Sequence, residues 1–543
     1  MKLSKNKIFN WLDNNILLLL SGFLLAFIPL FPKIPFFSPI EEYIVRVRAE
    51  DFLVFLTFIV WLVQLSRKKV KFKSLTTSFI LSYMVVGLLS LISSLWIIKT
   101  VPLTQAHVLK TTLHYFRYLE YFSLFLIVYS SISKPKDVKI LLTTIVLSLS
   151  AISVYGYGQK YHYWPVYSTM NREFSKGIRL YLTEHARVQS TFAGHYDLAA
   201  YLVIVLPIIL ALAYGSKKRV FKTGLFFLQI LGSWLLIMSA ARTSFAAYGI
   251  ATAIVIVLFG WKQKKIWPKI SWMISRFITL WTIIFIMMAA FGSDIYDRFV
   301  QVVESYPQLH TRYLLIEERG EQVTSNLAST LKLDSLFTKD SLPPPNSIST
   351  EEAEVIVASD ERPTAQRPRD VYSDIPDQVK VSTTSAEGVV ETIVVEKPRV
   401  WSDNALKYGL SMAIRLDTLW PRAIQGFVRS PLFGSGYATL NKTSLNDFTI
   451  ADSTDNNFLR TLGETGFLGF ITFYGAAISG LVLAIKGTKS KNELLIALSI
   501  GYLAATIGLL FNALYIDVFA ASKVAFTFWA VTGLFLGYYE ISK

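Results

Sequence analysis

The chain has 543 residues, 52% of them hydrophobic and only 17% charged, with a net charge of +16 and no cysteine. A soluble protein carries about 25% charged residues and its cores stop growing at roughly 250–300 residues, so a soluble enzyme, a fibrous chain and a mainly disordered chain are excluded. Without cysteine there are no disulfides, thiolate metal sites or cysteine nucleophiles.

The apolar residues come in blocks, and the chain reads as an all-α polytopic membrane protein with about twelve transmembrane helices. The spans fall at about 15–31, 50–65, 75–97, 113–132, 140–157, 195–214, 223–240, 243–260, 270–292, 466–485, 493–514 and 519–539. Most reach the ~20 residues that cross ~30 Å of hydrocarbon; the second and fifth are short. Every second connection is short and basic: Arg67 to Lys73, Lys134 to Lys139, Lys217 to Arg219, Lys262 to Lys265 and Lys486 to Lys491. The positive-inside rule places these, and both termini, in the cytoplasm. The basic excess therefore encodes topology, and no nucleic-acid partner is expected. The first span is long, ends in Pro29, Pro32 and Pro35, and lacks a small-residue cleavage pattern, so it is expected to be retained rather than cleaved.

Three regions follow: helices one to nine in 1–292, a large outer loop between helices nine and ten in 293–465, and helices ten to twelve in 466–543. Every sizeable loop lies outside, and no cytoplasmic loop is long enough to fold. There is no Walker A motif, no G-x-G-x-x-G and no aspartate pair suited to a nucleotide-sugar metal, so chemistry is expected on the outer face. Within the large loop, 317–399 holds 16 acidic against 9 basic residues and the run Pro343, Pro344 and Pro345; this composition predicts a disordered insert. The part from 401 to 465 has an ordered character, with Trp401, Trp420, Phe427 and Tyr437. Arg415, Arg422 and Arg429 recur every seven residues there, as on an amphipathic helix lying at lipid phosphates or lining an anionic substrate site.

Charged residues beside apolar spans are costly and tend to be functional. Arg187 opens a stretch that runs to His195 and Asp197 before the sixth span. Arg242 sits in a hairpin too short to leave the interface. Asp455, Asn456, Arg460 and Glu464 lead into the tenth span. Arginine forks bind phosphate oxygens bidentately and stay charged, while a carboxylate or histidine can take a proton from an attacking hydroxyl. Each residue also has a plain structural role open to it: Arg187 paired with Glu184 or lipid phosphate, Arg242 as an interfacial anchor, Asp455 and Asn456 as a helix cap. His185 and His195 lack metal-ligand spacing, and no metal or cofactor is expected. The aromatic run from Tyr155 to Tyr167 reads as an interfacial belt or, less simply, as a sugar platform.

Taken together these stretches resemble the O-antigen ligase and polysaccharide polymerase family of bacterial membrane proteins, over roughly 180–315 and 400–540. Arg187 to Asp197 is similar to the family's R-x-x-G-T-F segment, and Ser239 to Arg242 to its Ser-x-x-Arg helix start. Pro431 to Gly436 matches a Pro-Leu-hydrophobic-Gly-x-Gly turn. Asp455-Asn456, nine residues, then Gly466 and Gly469 fit the ligase signature, with Asp455 standing where the family has histidine. The resemblance implies a metal-independent glycosyltransferase in the bacterial cytoplasmic membrane. It would move a glycan from an undecaprenyl-diphosphate carrier to a glycan or lipid acceptor at the outer face. By position, Arg187 and Arg242 would hold the diphosphate and Asp455 would act near the acceptor, supported by Asn456, Arg460 and Glu464; His185 and His195 are alternative bases and Arg422 a further substrate contact. A flippase of lipid-linked oligosaccharide and a protein O-oligosaccharyltransferase are the competing readings.

Overall fold

The computed structural model describes residues 5–40, 46–70, 72–170, 174–183, 186–262, 265–292, 377–384, 390–397, 410–440 and 453–543. The described chain is mostly helical. In order come α1 (Lys5–Leu30), α2 (Ala49–Ser66), α3 (Leu75–Ile92) with a π turn over Ser93–Ile97, α4 (Gln105–Ser131) and α5 (Pro135–Tyr161). Next are α6 (His195–Gly215), α7 (Arg219–Met238), α8 (Arg242–Gly260) and α9 (Ile266–Phe291). After the long connection come α10 (Leu410–Ile414), a π turn over Arg415–Leu419, α11 (Trp420–Arg429), α12 (Asn457–Gly487), α13 (Glu493–Asn512) and α14 (Ser522–Ile541).

Eleven of these helices are long and apolar enough to cross a membrane. The expected fourth span is there as α4, but it runs 27 residues and carries Lys110, Arg117 and Glu120, which sets it apart from the eleven. The fifth span is not short: Pro135 at its first turn and the Asp137 carboxylate, which accepts from the backbone of Ser133 (2.9 Å) and Lys134 (2.8 Å), start a 27-residue helix. Proline costs no hydrogen bond at that position. Asn492 likewise caps α13, its Oδ1 accepting from Leu494 and Leu495.

Helices α6 and α14 form the centre, with 83% of each span buried, whereas α9 is 11% buried and lies at the rim. The last three helices do not form a separate layer. Helix α12 packs on α3, α13 on α6 and α8, and α14 on α4. The basic connections gather at one end, where Lys217 pairs with Glu493 (2.8 Å) and Asp13 with Arg67 and Lys69. The opposite end carries a small antiparallel pair, β1 (Pro35–Phe37) with β2 (Val47–Arg48), and every connection that bears a motif.

The insert departs from expectation in one place. Residues Asp377–Thr384 and Val390–Lys397 form an antiparallel pair, β3 and β4, in register from Asp377 opposite Lys397 to Thr384 opposite Val390. Both stretches are rich in valine, isoleucine and threonine, whose branched side chains favour strands; the acidic average over 317–399 hides that local pattern. The rest of the insert lies outside the described residues.

Candidate active site at the motif-bearing end

The motifs meet at one end of the bundle through backbone contacts. Val188 N–H donates to Met238 O (3.0 Å), which holds the Arg187 segment against the turn that leads into Arg242. Arg242 is exposed at the first turn of α8, and Ser244 behind it accepts from Asn512 Nδ2 at the end of α13 (2.9 Å). Arg187 Nη1 donates to His195 Nε2 (2.5 Å) and to the Tyr196 hydroxyl (3.3 Å). A guanidinium can only donate, so Nε2 is the unprotonated nitrogen of a buried His195. His185 lies outside the described residues.

The Pro431–Gly436 turn explains the glycines of the signature. It crosses α12 where that helix breaks at Gly466, whose φ of 67° and ψ of −167° only glycine adopts readily. Ser435 N donates to Gly463 O (2.8 Å) and Gly436 N to Glu464 O (3.0 Å), while Phe467 N and Leu468 N donate back to Pro431 O and Leu432 O. Gly434 and Gly466 lie backbone to backbone. A Cβ on either would sit 2.4–2.5 Å from main-chain atoms of the other segment. The Glu464 side chain accepts from Ala438 N (3.1 Å) and lies 3.4 Å from Arg460 Nε.

Asp455 is held at this end, though not beside Arg187. Its Oδ2 pairs with Arg415 Nη2 (2.9 Å) and its Oδ1 accepts from Ser453 Oγ (2.8 Å). Asn456 caps α12, Oδ1 accepting from Leu459 N (3.0 Å). The whole turn hangs on Asp517, which accepts from the backbone of Thr454 (2.8 Å) and Asn456 (3.2 Å) and from Arg460 Nη1 (3.1 Å). The three arginines spaced by seven do not share one task. The π turn at Arg415–Leu419 adds a residue to that helical turn, and Arg415 goes to Asp455 while Arg422 and Arg429 line a separate hollow with Gln425 and Ser435. Four of the segments place a non-glycine residue at positive φ: Ser190 (51°), Ala240 (47°), Ala438 (58°) and Asp455 (50°). Such residues are uncommon and gather where structure over-determines the backbone.

Between these segments and the β1–β2 pair lies a cavity of about 1120 Å³, its open mouth included. Its wall carries Lys33, Arg46, Arg48, Arg117 and Arg460 against Asp51, Glu120 and Asp197. Lys33 Nζ pairs with Glu50 (2.8 Å), and both are all but fully buried. Burial pushes the Lys33 ammonium below its ordinary pKa, with Glu50 opposing that. Arg117 donates to Asp51 and to Glu120 (3.0 Å). Deeper still, Lys523 donates to Pro29 O (3.1 Å), Phe31 O (2.7 Å) and Thr191 O (2.7 Å), joining α1, the Arg187 segment and α14.

Of the described residues singled out in the sequence, Arg460 and Asp197, beside His195, line this cavity. Lys33, Arg48, Arg117, Asp517 and Lys523 were missed. Their signal was present as charge inside or against apolar spans, at Glu50, Asp51, Arg117, Glu120 and Lys523, where an unpaired charge is expensive. Among the described residues no three histidine, aspartate or glutamate side chains converge as a metal would require. No family model matches the chain, and no curated protein matches it.

Proposed function

We propose that the protein is a membrane glycosyltransferase that moves a glycan from an undecaprenyl-diphosphate carrier to an acceptor hydroxyl. The observation that carries the reading is that the segments bearing Arg187 and Arg242, 55 positions apart in sequence, are joined by the Val188–Met238 hydrogen bond. Two arginines at one bundle end suit a lipid-borne diphosphate. By the positive-inside rule the basic connections face the cytoplasm, which puts the motif-bearing end at the outer face of the bacterial cytoplasmic membrane.

In this reading the acceptor oxygen attacks the anomeric carbon and the bond from that carbon to the phosphate oxygen breaks. Arg187 and Arg242 stabilise the charge on the departing diphosphate. The acceptor proton passes to His195, whose Nε2 lone pair is released when Arg187 turns to the phosphate, or to Asp455 if Arg415 yields it. Arg460 and Glu464 keep the α12 crossing in shape, and Asn456 caps the helix that carries them. Arg422 is left as a contact for a more distant part of the substrate.

A flippase of lipid-linked oligosaccharide is the second reading. It draws on Arg117, which sits ~18 Å along α4 from its start, because transporters place charge within the bundle. The test is purified protein in detergent with a synthetic polyprenyl-diphosphate oligosaccharide, products read by mass. A new glycosidic bond that Arg187→Ala and Arg242→Ala abolish supports the transferase, since detergent leaves nothing to transport across. Unchanged transfer in both variants sinks the site assignment. Product from donor alone marks a polymerase, and product only with an added glycan, lipid or protein acceptor marks the corresponding ligase.

A further inference from the structure

The cavity between the β1–β2 pair, the ends of α2 and α6 and the middle of α4 holds two arginines outside its ion pairs. Lys33 is balanced by Glu50, Arg117 by Asp51 and Glu120, and Arg460 by Asp517 and Glu464. Arg46 and Arg48 stand outside these pairs, although the Glu50 and Asp51 carboxylates favour the Arg48 charge from farther off. Arg46 Nε donates to Ser175 Oγ (3.3 Å), and neither arginine has a carboxylate in ion-pair reach among the described residues. Arg48 is only 7% exposed, and its Nε has no hydrogen-bond partner among the described residues.

A guanidinium buried to that degree without an acceptor is costly, and burial holds it below its ordinary pKa. An oxyanion on the cavity side relieves both penalties, because the planar fork donates to two oxygens at once. The rest of the wall suits a hydroxyl-bearing ligand. Asp197 is a hydrogen-bond acceptor there, and Phe116, half exposed, offers a flat apolar face.

We propose that this cavity is a subsite for an acidic sugar, with its carboxylate on Arg48 and Arg46, a hydroxyl on Asp197 and its ring against Phe116. It is separate from the Arg187–Arg242 pair, so the protein reads the charge of a glycan at one place and the charge of its lipid carrier at another. Naming the ligand a glycan rests on the transferase reading; the binding of an oxyanion at Arg48 does not.

The experiment is calorimetric titration of the full-length protein in a neutral detergent with three probes. These are a tetrasaccharide alternating uronic acid and N-acetylhexosamine, a neutral tetrasaccharide of equal length, and inorganic phosphate. The wild type is expected to bind the acidic tetrasaccharide at least about tenfold more tightly than the neutral one, about 1.4 kcal/mol. Arg48→Gln and Arg46→Gln each remove that preference, and Arg187→Ala keeps it. Arg46 is partly exposed and replaceable without burying a vacancy, so it keeps the test valid if Arg48→Gln does not fold. Equal affinity for the two tetrasaccharides, or a preference that survives in both glutamine variants, overturns the subsite. Phosphate binding with no preference for the uronate overturns the sugar assignment. Uronate binding without glycan transfer sinks the transferase alone, and transfer without a uronate preference sinks the subsite alone.

Discussion

Replacing Gly466 by alanine tests the crossing of the Pro431–Gly436 turn over α12. The residue sits at φ 67° and ψ −167°, a region essentially reserved for glycine, where another residue costs about 1–3 kcal/mol. The new Cβ would also stand 2.5 Å from Gly434 N and from the Leu432 carbonyl, so the two backbones must part. Four hydrogen bonds join them, each worth about 1 kcal/mol net, and losing two brings the expected loss to ~3–5 kcal/mol. Gly224→Ala in α7 is the matched control, since nothing lies within 4 Å of its Cβ position and alanine is the better helix former by about 1 kcal/mol. The assay is thermal unfolding in detergent followed by tryptophan fluorescence. Gly466→Ala should melt well below the wild type and Gly224→Ala at or above it. Indistinguishable melting of the two variants would refute the crossing.

Three further outcomes follow from the same end of the bundle. Asp517→Ala leaves Arg460 buried beside a vacancy and frees the backbone of Thr454 and Asn456; breaking such a pair costs about 3–5 kcal/mol, read as lost thermal stability and protease cleavage near residue 455. Lys523→Met strips three carbonyls, two of them buried, of their donor; melting and glycan transfer should fall together, because the Arg187 segment loses its tether, and unimpaired transfer would show that the tether does not position it. Arg415 and Asp455 should show a coupling of about 0–1 kcal/mol in a double-mutant cycle, as expected for a partly exposed pair. A larger coupling would mean that the pair is shielded from water.

The membrane-spanning helices were readable because each is a continuous apolar run bounded by lysines, and hydropathy is a local property. Helix α4 shows where that reading thins: Arg117 and Glu120 interrupt its span, and they are tolerated because Arg117 pairs both with Glu120 and with Asp51, 66 positions earlier. Lys33 and Ser522 are 489 positions apart and touch; no local pattern announces that. Spacing did bring Asp455, Asn456 and Gly466 to attention. It could not show that Asp455 turns to Arg415, because the π turn over Arg415–Leu419 shifts the register of the heptad-spaced arginines. The strands β3 and β4 were hidden for the opposite reason, a regional acidic average outweighing a short branched-residue pattern.

The interleaving of α12, α13 and α14 among the earlier helices bears on biogenesis. Nine helices leave the ribosome before α12, α13 and α14, the partners of α3, α6 and α4, exist, and in that interval Ser90, Tyr121 and Thr191 lack the contacts that α12 and the α13–α14 region later supply. Polar groups waiting in lipid invite premature association or capture by an insertion factor. The long segment between α9 and α10 lengthens that wait, so the rate at which it is translated bears on how much of the nascent chain reaches the assembled bundle. Supplying 1–292 and 410–543 as two polypeptides at once would bypass the delay, and the pieces should find each other through the interfaces that α12, α13 and α14 already complete.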